Sequence, residues 1–433
     1  MARDDRGSQL RDQLIKNVRD LTAEKLGPRS ALYDQEATHP KENWQDLFGQ
    51  GLLAMSVPEE YGGMGLDSLS YVMVLEEIAK GCSSTSMTLH MHSTVLRFIA
   101  ATATAQQKAR FYPEVVDGGK MFGSWGSEPN TSLGRNFFME TSAEQADGGY
   151  LINGVKHFCT MAGAASFMQV FCSLGGSDDM ANNCMLILVP ADSPGLNITG
   201  EWNTLGMRGT VSPSVEFKDC FVEESHALGK PGEFLKVGVV ESFPLGYAAV
   251  YLGTAAAALD FTTEFCKTRI FKPDTVPISN DPIIQRHLGD LSIHLDAARA
   301  VLYQSASQWD QADATTRGLL AAKAKYLCSE AALETTSRAI QIVGGRSAHK
   351  NMPLERAFRD VRTSTLMPPN ADVMLANIGK GNLGLLGAMF RVDGSPELQQ
   401  SISGSSQGFQ ANARRSGYFV PNLFLYCKPG FSG

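Results

Sequence analysis

The chain has 433 residues, 43% of them hydrophobic and 19% charged, with a net charge of −7, which suits two or three domains with sizeable cores. The acidic balance excludes a general nucleic-acid footprint, which needs a basic face, and no apolar run reaches the roughly 18–20 residues of a membrane span. The charged start "MARDDRGSQLRDQL" lacks a secretory stretch, and the eight scattered cysteines form no CxxC pair, so the expectation is a cytoplasmic protein with reduced thiols, no disulfide framework and no metal site.

In chain order, residues 1–120 read as a helical domain. In "SYVMVLEEIAKGC", Val72, Val74, Leu75, Ile78 and Ala79 recur near a 3.6 period, and Gly81 is the stop. The preceding "VPEEYGGMGLD" is a loop punctuated by Pro and Gly. Residues 121–233 change texture: "GYLINGVKHFCT", "FMQVFCSLGG" and "NCMLILVPADSPG" are short runs bounded by turn formers, the pattern of strands in a compact β domain. Residues 234–392 return to long amphipathic helices, one of them closed by Gly344-Gly345. Residues 393–433 drift to Ser, Gly and Gln and read as a loosely ordered tail. Helices on both sides of a β module, with no GxGxxG after a strand, argue against a Rossmann core.

Four long stretches carry a resemblance: "LFGQGLLAMSVPEEYGGMGLDSLSYVMVLEEIAKGCSSTSMTLHMHSTV", "QQKARFYPEVVDGG", "LGMRGTVSPSVEFKDCFV" and "QIVGGRSAHKNMPLERAFRD". Together they resemble the acyl-CoA dehydrogenase superfamily over about residues 10–390, in the family's order. That resemblance implies an α+β flavoprotein with an N-terminal helical domain, a middle β-barrel domain and a C-terminal four-helix bundle. It also implies a homo-oligomer, tetramer or dimer, with FAD ahead of FMN at a domain and subunit junction.

The family's flavin strands correspond to "WGSEPN" and "HFCT". The resemblance therefore assigns Trp125, Ser127, Phe158 and Thr160 to the flavin edge, and Gln341, Gly344 and Gly345 to the adenosine end of a neighbouring subunit's FAD. Arg269 and Phe271 fall near its pyrophosphate and adenine contacts. Main-chain N–H groups of such a strand can polarise the ring where charge gathers on reduction. Three departures alter the pattern: "NTSLG" replaces a Gly-Ser pair, the Arg269–Phe271 spacing is one residue short, and Pro282 stands for a glutamine, with Gln285 fitting the second.

The largest departure is a missing base. Removing an α-proton from an acyl thioester suits a carboxylate in a dry pocket, where desolvation raises its pKa. The family's usual Glu falls on Pro368 and its alternative Glu on Phe243, while an Arg that helps hold acyl-CoA falls on Pro244. Phe243 and Met367 are thus expected in the substrate pocket. The phrase "RDVRTSTLMPPNAD" also resembles the dibenzothiophene monooxygenase-like branch, with Met367 where that branch has a His. His90 and His92 are candidate proton donors, and their i,i+2 spacing puts them on different helix faces, which disfavours a shared metal. Glu241 and Asp372 are the nearest carboxylates to the vacated positions. His157 is expected to point outward by strand alternation, and Arg208 to be structural.

The reading that follows is a flavin-dependent oxidoreductase, with an O₂-using monooxygenase or oxidase preferred. Its substrate is a small molecule or a carrier-bound acyl thioester, and a flavin reductase is a possible partner. An α,β-dehydrogenase with a relocated base is the alternative, and a non-catalytic flavin-binding or scaffold protein the third reading.

Overall fold

The computed structural model describes residues 2–131 and 138–385. The tail and residues 132–134 of "NTSLG" therefore lie outside the described residues.

Six helices open the chain: α1 (Ala2–Leu21), α2 (Gly27–Glu36), α3 (Lys41–Gly49), α4 (Ser68–Gly81), α5 (Ser83–Thr102) and α6 (Ala105–Val116). The boundaries follow local chemistry. The Asp67 carboxylate accepts from Ser70 N–H and caps α4, and Thr104 with Gln107 forms a reciprocal capping box on α6. Helix α5 is buried nearly all round, as a central helix must be, and packs on α4 and on elements described below. Its many Ser and Thr hydroxyls survive burial by bonding inward, as Ser86 does to Leu75 O at 2.7 Å and Thr94 to His90 O at 2.9 Å.

The middle region holds β1 (Phe122–Trp125), β2 (Ser142–Ala146), β3 (Gly149–Lys156), β4 (Phe167–Leu174), the short α7 (Met180–Asn183), β5 (Cys184–Pro190), β6 (Leu196–Thr199), β7 (Ser214–Glu223) and β8 (Ala227–Leu228). The expected barrel is one sheet in the order β6-β7-β3-β2-β4-β5-β8, with β1 paired to β4. Among the described residues its hydrogen-bonded path ends at β6 and β8 and does not close. Strands β1 and β2 run parallel to β4 and pair with its first and last residues respectively.

The third region contains α8 (Glu233–Lys236), α9 (Ser242–Thr268), α10 (Pro282–Trp309), α11 (Ala314–Val343), α12 (Pro353–Ser364) and α13 (Ala371–Asn382). The expected four-helix bundle is built on α9, α10 and α11, with α12 and α13 against α11. Helix α9 is long and apolar enough by composition to cross a membrane, yet 83% of that stretch is buried inside the protein, among α4, α5, α10 and α11. Two glycines allow this. A Cβ on Gly246 would lie 2.2 Å from the His90 ring, and one on Gly253 2.2 Å from Glu76 O, so α5 and α4 approach α9 only because those side chains are absent. Gly344, at φ 78, ends α11 as expected. The seven described cysteines are buried and unpaired.

Candidate functional site

The first part of the site is the end of β1. Ser127 is half-buried, and its carbonyl accepts from His157 N–H at 2.8 Å. Next to it the Glu128 carboxylate meets Lys156 Nζ at 2.6 Å, with both side chains fully buried. It also accepts from Glu140 N–H, Thr141 N–H and the Thr131 hydroxyl. Burial pushes this carboxyl up, but the Lys156 charge and the hydrogen bonds outweigh it and hold it below the usual range. This buried pair fixes the chain that carries Ser127.

Thr160 Oγ1 accepts from Ser212 at 3.1 Å, which leaves its own hydroxyl proton for another acceptor. Phe158 stands in the left-handed region at φ 56 and is 66% exposed. Its ring meets Trp202 edge-on at 6.4 Å. A large ring held outward from a strained backbone is a surface that a flat ligand would cover. Phe158, Ser127 and Thr160 therefore fit a flavin edge. Trp125 is a correction to direct ring contact: its indole is 1% exposed and donates to Thr160 O at 3.0 Å, so it positions the 158–160 turn from beneath. His157 is half-buried and bonded to Ser214 Oγ at 2.6 Å. Arg208 donates to Asp34 O at 2.7 Å, a structural bond.

Arg269 caps the end of α9, with its guanidinium 4.5 Å above the half-exposed Phe271 ring and its buried Nε without a partner. Gln341 and Gly345 are exposed at the end of α11, and among the described residues no atom beyond the chain neighbours lies within 4 Å of where a Cβ on Gly344 or Gly345 would stand. This is open backbone that a neighbouring molecule can approach. Among the described residues, no hydrogen bond or ring contact joins this group to Ser127, Phe158 or Thr160.

The helical side differs from expectation. His90 and His92 do point different ways, but neither offers a free nitrogen, which corrects the expectation of a proton donor on that face. His90 Nε2 donates to Phe243 O at 3.0 Å, so its Nδ1 accepts the Tyr71 hydroxyl at 2.6 Å. His92 Nε2 donates to Leu53 O at 3.0 Å, and its Nδ1 accepts Phe122 N–H at 2.9 Å. Burial pushes His90 down to about 3 and His92 to about 4, so both rings are neutral at pH 7. Around His90 lie Phe243, half-buried and edge-on at 6.3 Å, and Tyr247 at 5.0 Å. Among the described residues the Tyr247 hydroxyl donates to the sulfur of Met91, at 3.6 Å.

At the turn after α12, Met367 is half-buried against the core and Pro368 is exposed. The turn is fastened from below. Lys325 Nζ donates to Met367 O at 2.5 Å and to Pro369 O at 2.6 Å, and stands 5.5 Å over the Tyr247 ring. Lys325 is fully buried, and burial pushes its ammonium down to about 7. The two relocated carboxylates fare differently. Asp372 is exposed in the first turn of α13. Glu241, at the start of α9, is 3% exposed with Oε2 unpartnered, and burial pushes it up to about 7 against the opposing pull of Arg317.

Sequence reasoning passed over Lys325, Tyr71 and Tyr247. Lys325 had a signal: it falls on the apolar stripe of Ala321, Ala324, Cys328 and Ala332, where a cation is costly unless its protons are bonded. The tyrosines carried none, since a buried Tyr on a helix looks like any core residue.

Models of the N-terminal, middle and C-terminal domains of acyl-CoA dehydrogenase match residues 8–119, 124–220 and 245–383. The human mitochondrial short-chain specific acyl-CoA dehydrogenase is 31% identical over 365 residues, 83% of this chain and 87% of the relative. Dibenzothiophene monooxygenase of Rhodococcus erythropolis is also 31% identical, over 360 residues, 78% of this chain and 86% of that one. Among solved structures, butyryl-CoA dehydrogenase from Megasphaera elsdenii aligns with TM-score 0.80 and 26% identity, covering 86% of this chain and 98% of the other. FMN-bound TdsC from Paenibacillus sp. A11-2 aligns with TM-score 0.75 and 26% identity, covering 88% and 97%. With the three domains matched in order, this chain belongs to the acyl-CoA dehydrogenase family of flavin-dependent oxidoreductases.

Proposed function

We propose that this chain is an O₂-using flavin enzyme, a monooxygenase or oxidase, acting on a small molecule or a carrier-bound acyl thioester. The observation that carries the reading is the 366–370 turn. It holds Leu366, Met367, Pro368, Pro369 and Asn370 and no carboxylate, and Lys325 fastens it through two carbonyls. A turn so fixed supplies an apolar wall, with no group to take an α-proton. Similarity to dibenzothiophene monooxygenase is compatible with the oxygen-using reading, and the equal identity to the short-chain dehydrogenase leaves the choice to the turn.

Ser127, Phe158 and Thr160 would hold the flavin ring, FAD ahead of FMN, with Arg269, Phe271, Gln341, Gly344 and Gly345 toward its far end. The bound flavin would supply two-electron chemistry and, when reduced, reactivity with O₂. The chain's own residues orient and dry the site. Phe243, Tyr247 and Met367 exclude water from the substrate side, and the saturated His90 holds Phe243 and Tyr71 in place. Cytoplasmic location, a homo-oligomer of dimers or tetramers, and a reductase partner belong to the same reading.

A second reading, an α,β-dehydrogenase with a relocated base, has one observation in its favour. Glu241 is a buried carboxyl with one oxygen unpartnered among the described residues, and its pKa is pushed up to about 7, as a general base should be. Mixing the flavin-loaded protein anaerobically with a panel of saturated acyl-CoAs separates the two. The oxygen-using reading expects flavin bleaching about 10²–10⁴-fold slower than a base-equipped relative shows, and oxygenated product or peroxide once the reduced protein meets air and substrate. Fast anaerobic bleaching that Glu241→Gln abolishes would establish the second reading instead.

A further inference from the structure

A cavity of about 290 Å³ lies where the second half of α5, the loop before α9, the start of α9 and the α10–α11 connection meet. Its walls include Arg97, Gly238, Ser242, Trp309, Asp310 and Arg317. Both arginines are oriented by aromatic rings. Arg97 lies 4.0 Å over Tyr71, and Arg317 lies 5.9 Å over Trp309 and donates Nε to Trp309 O at 3.0 Å. Arg97 has its Nη1 3.4 Å from Ser68 Oγ, while its Nε is buried with no partner.

The negative groups nearby do not match this charge. Asp310 is committed to Ser68, accepting its N–H at 3.0 Å and its hydroxyl at 2.7 Å. Glu241, next to the lining residue Ser242, is buried with one oxygen unpartnered and is favoured neutral by burial. With Glu241 in its neutral form, two guanidiniums face one carboxylate in a partly enclosed space. A planar monoanion matches the fork of guanidinium N–H groups. The indole of Trp309 and the methyls of Ala100 and Ala101 suit a short apolar tail.

We propose that this cavity binds the carboxylate of a small monocarboxylic acid between Arg97 and Arg317. The inference does not rest on the redox reading, and its test uses no flavin chemistry. Isothermal titration of the full chain with butyrate should give saturable one-to-one binding. Butyramide, of the same shape without charge, should bind at least about tenfold more weakly, and inorganic phosphate likewise, because a second negative charge meets Asp310. Arg97→Gln should weaken butyrate about tenfold, with Arg97→Lys in between. Arg317→Gln serves as the second variant should Arg97→Gln fail to fold, and the ligand comparison on the wild-type chain stands without either. Absence of saturable butyrate binding, equal binding of butyramide, tighter binding of phosphate, or butyrate affinity unmoved by a folded arginine variant would each overturn the proposal.

Discussion

Two sets of buried ionisable groups behave in opposite ways. In the β region, Glu128 and Lys156 are fully buried but paired at 2.6 Å, and three further donors satisfy the carboxylate. In the helical region, His90, His92, Glu241 and Lys325 are also buried, but none has an ion-pair partner among the described residues. Pairing holds Glu128 charged, whereas burial drives the other four toward their neutral forms. A paired charge is costly to break and inert to pH near 7; an unpaired one is cheaper to replace and titrates where proton chemistry happens. The first set builds the frame that carries Ser127. The second is held inside the helical regions by neutral hydrogen-bonding partners or by none.

Breaking the pair should have the largest effect. Lys156→Met leaves Glu128 buried and uncompensated and should cost about 3–5 kcal/mol, measured by urea denaturation. Replacing both residues with apolar ones should recover only part of that loss, because the Glu140 and Thr141 N–H groups then lose their acceptor; if the double variant is no better than the single one, the contrast drawn here fails. Glu241→Gln should act in the opposite direction. The folded pKa of about 7 lies above the ordinary 4.5, so the native state binds its proton more tightly. Stability from this group is fully present below about pH 4.5 and is lost as pH rises through about 7. The Gln variant should therefore gain about 2–3 kcal/mol at pH 7 and nothing at pH 4.

The histidines come next. Their folded pKa values of about 3 and 4 lie below the ordinary 6.5, so the unfolded chain binds more protons in between. Stability should fall by about 2 kcal/mol per histidine as pH drops from 6.5 to 5. Thermal melts of His92→Asn across that range should show about one histidine's slope missing. Lys325→Met should show the smallest net change at neutral pH, because the loss of about 1–3 kcal/mol for each of two stranded carbonyls is offset by removal of the cost of burying the ammonium. Because its folded pKa of about 7 lies below 10.5, wild-type stability should rise with pH from about 7 toward 10, and the variant should lack that rise. Equal slopes in wild type and variant would mean that Lys325 stays charged throughout.

The sequence alone carried the α–β–α order, because hydrophobic period and turn residues are local signals. Gly81 and Gly344 stop their helices where the pattern ends. It also carried the absence of a carboxylate from residues 366–370, which is a matter of identity. Long-range pairing was not legible. Nothing near residue 128 announces Lys156, which reaches it only because β3 runs back beside the chain leaving β1. His90 and His92 looked like available acids because the resemblance puts them where a helix approaches the flavin. Only packing reveals that Phe243, Tyr71, Leu53 and Phe122 consume all four ring nitrogens. Whether a buried group is charged, neutral or free depends on partners contributed by other elements, and the tertiary structure alone brings those partners within hydrogen-bonding distance.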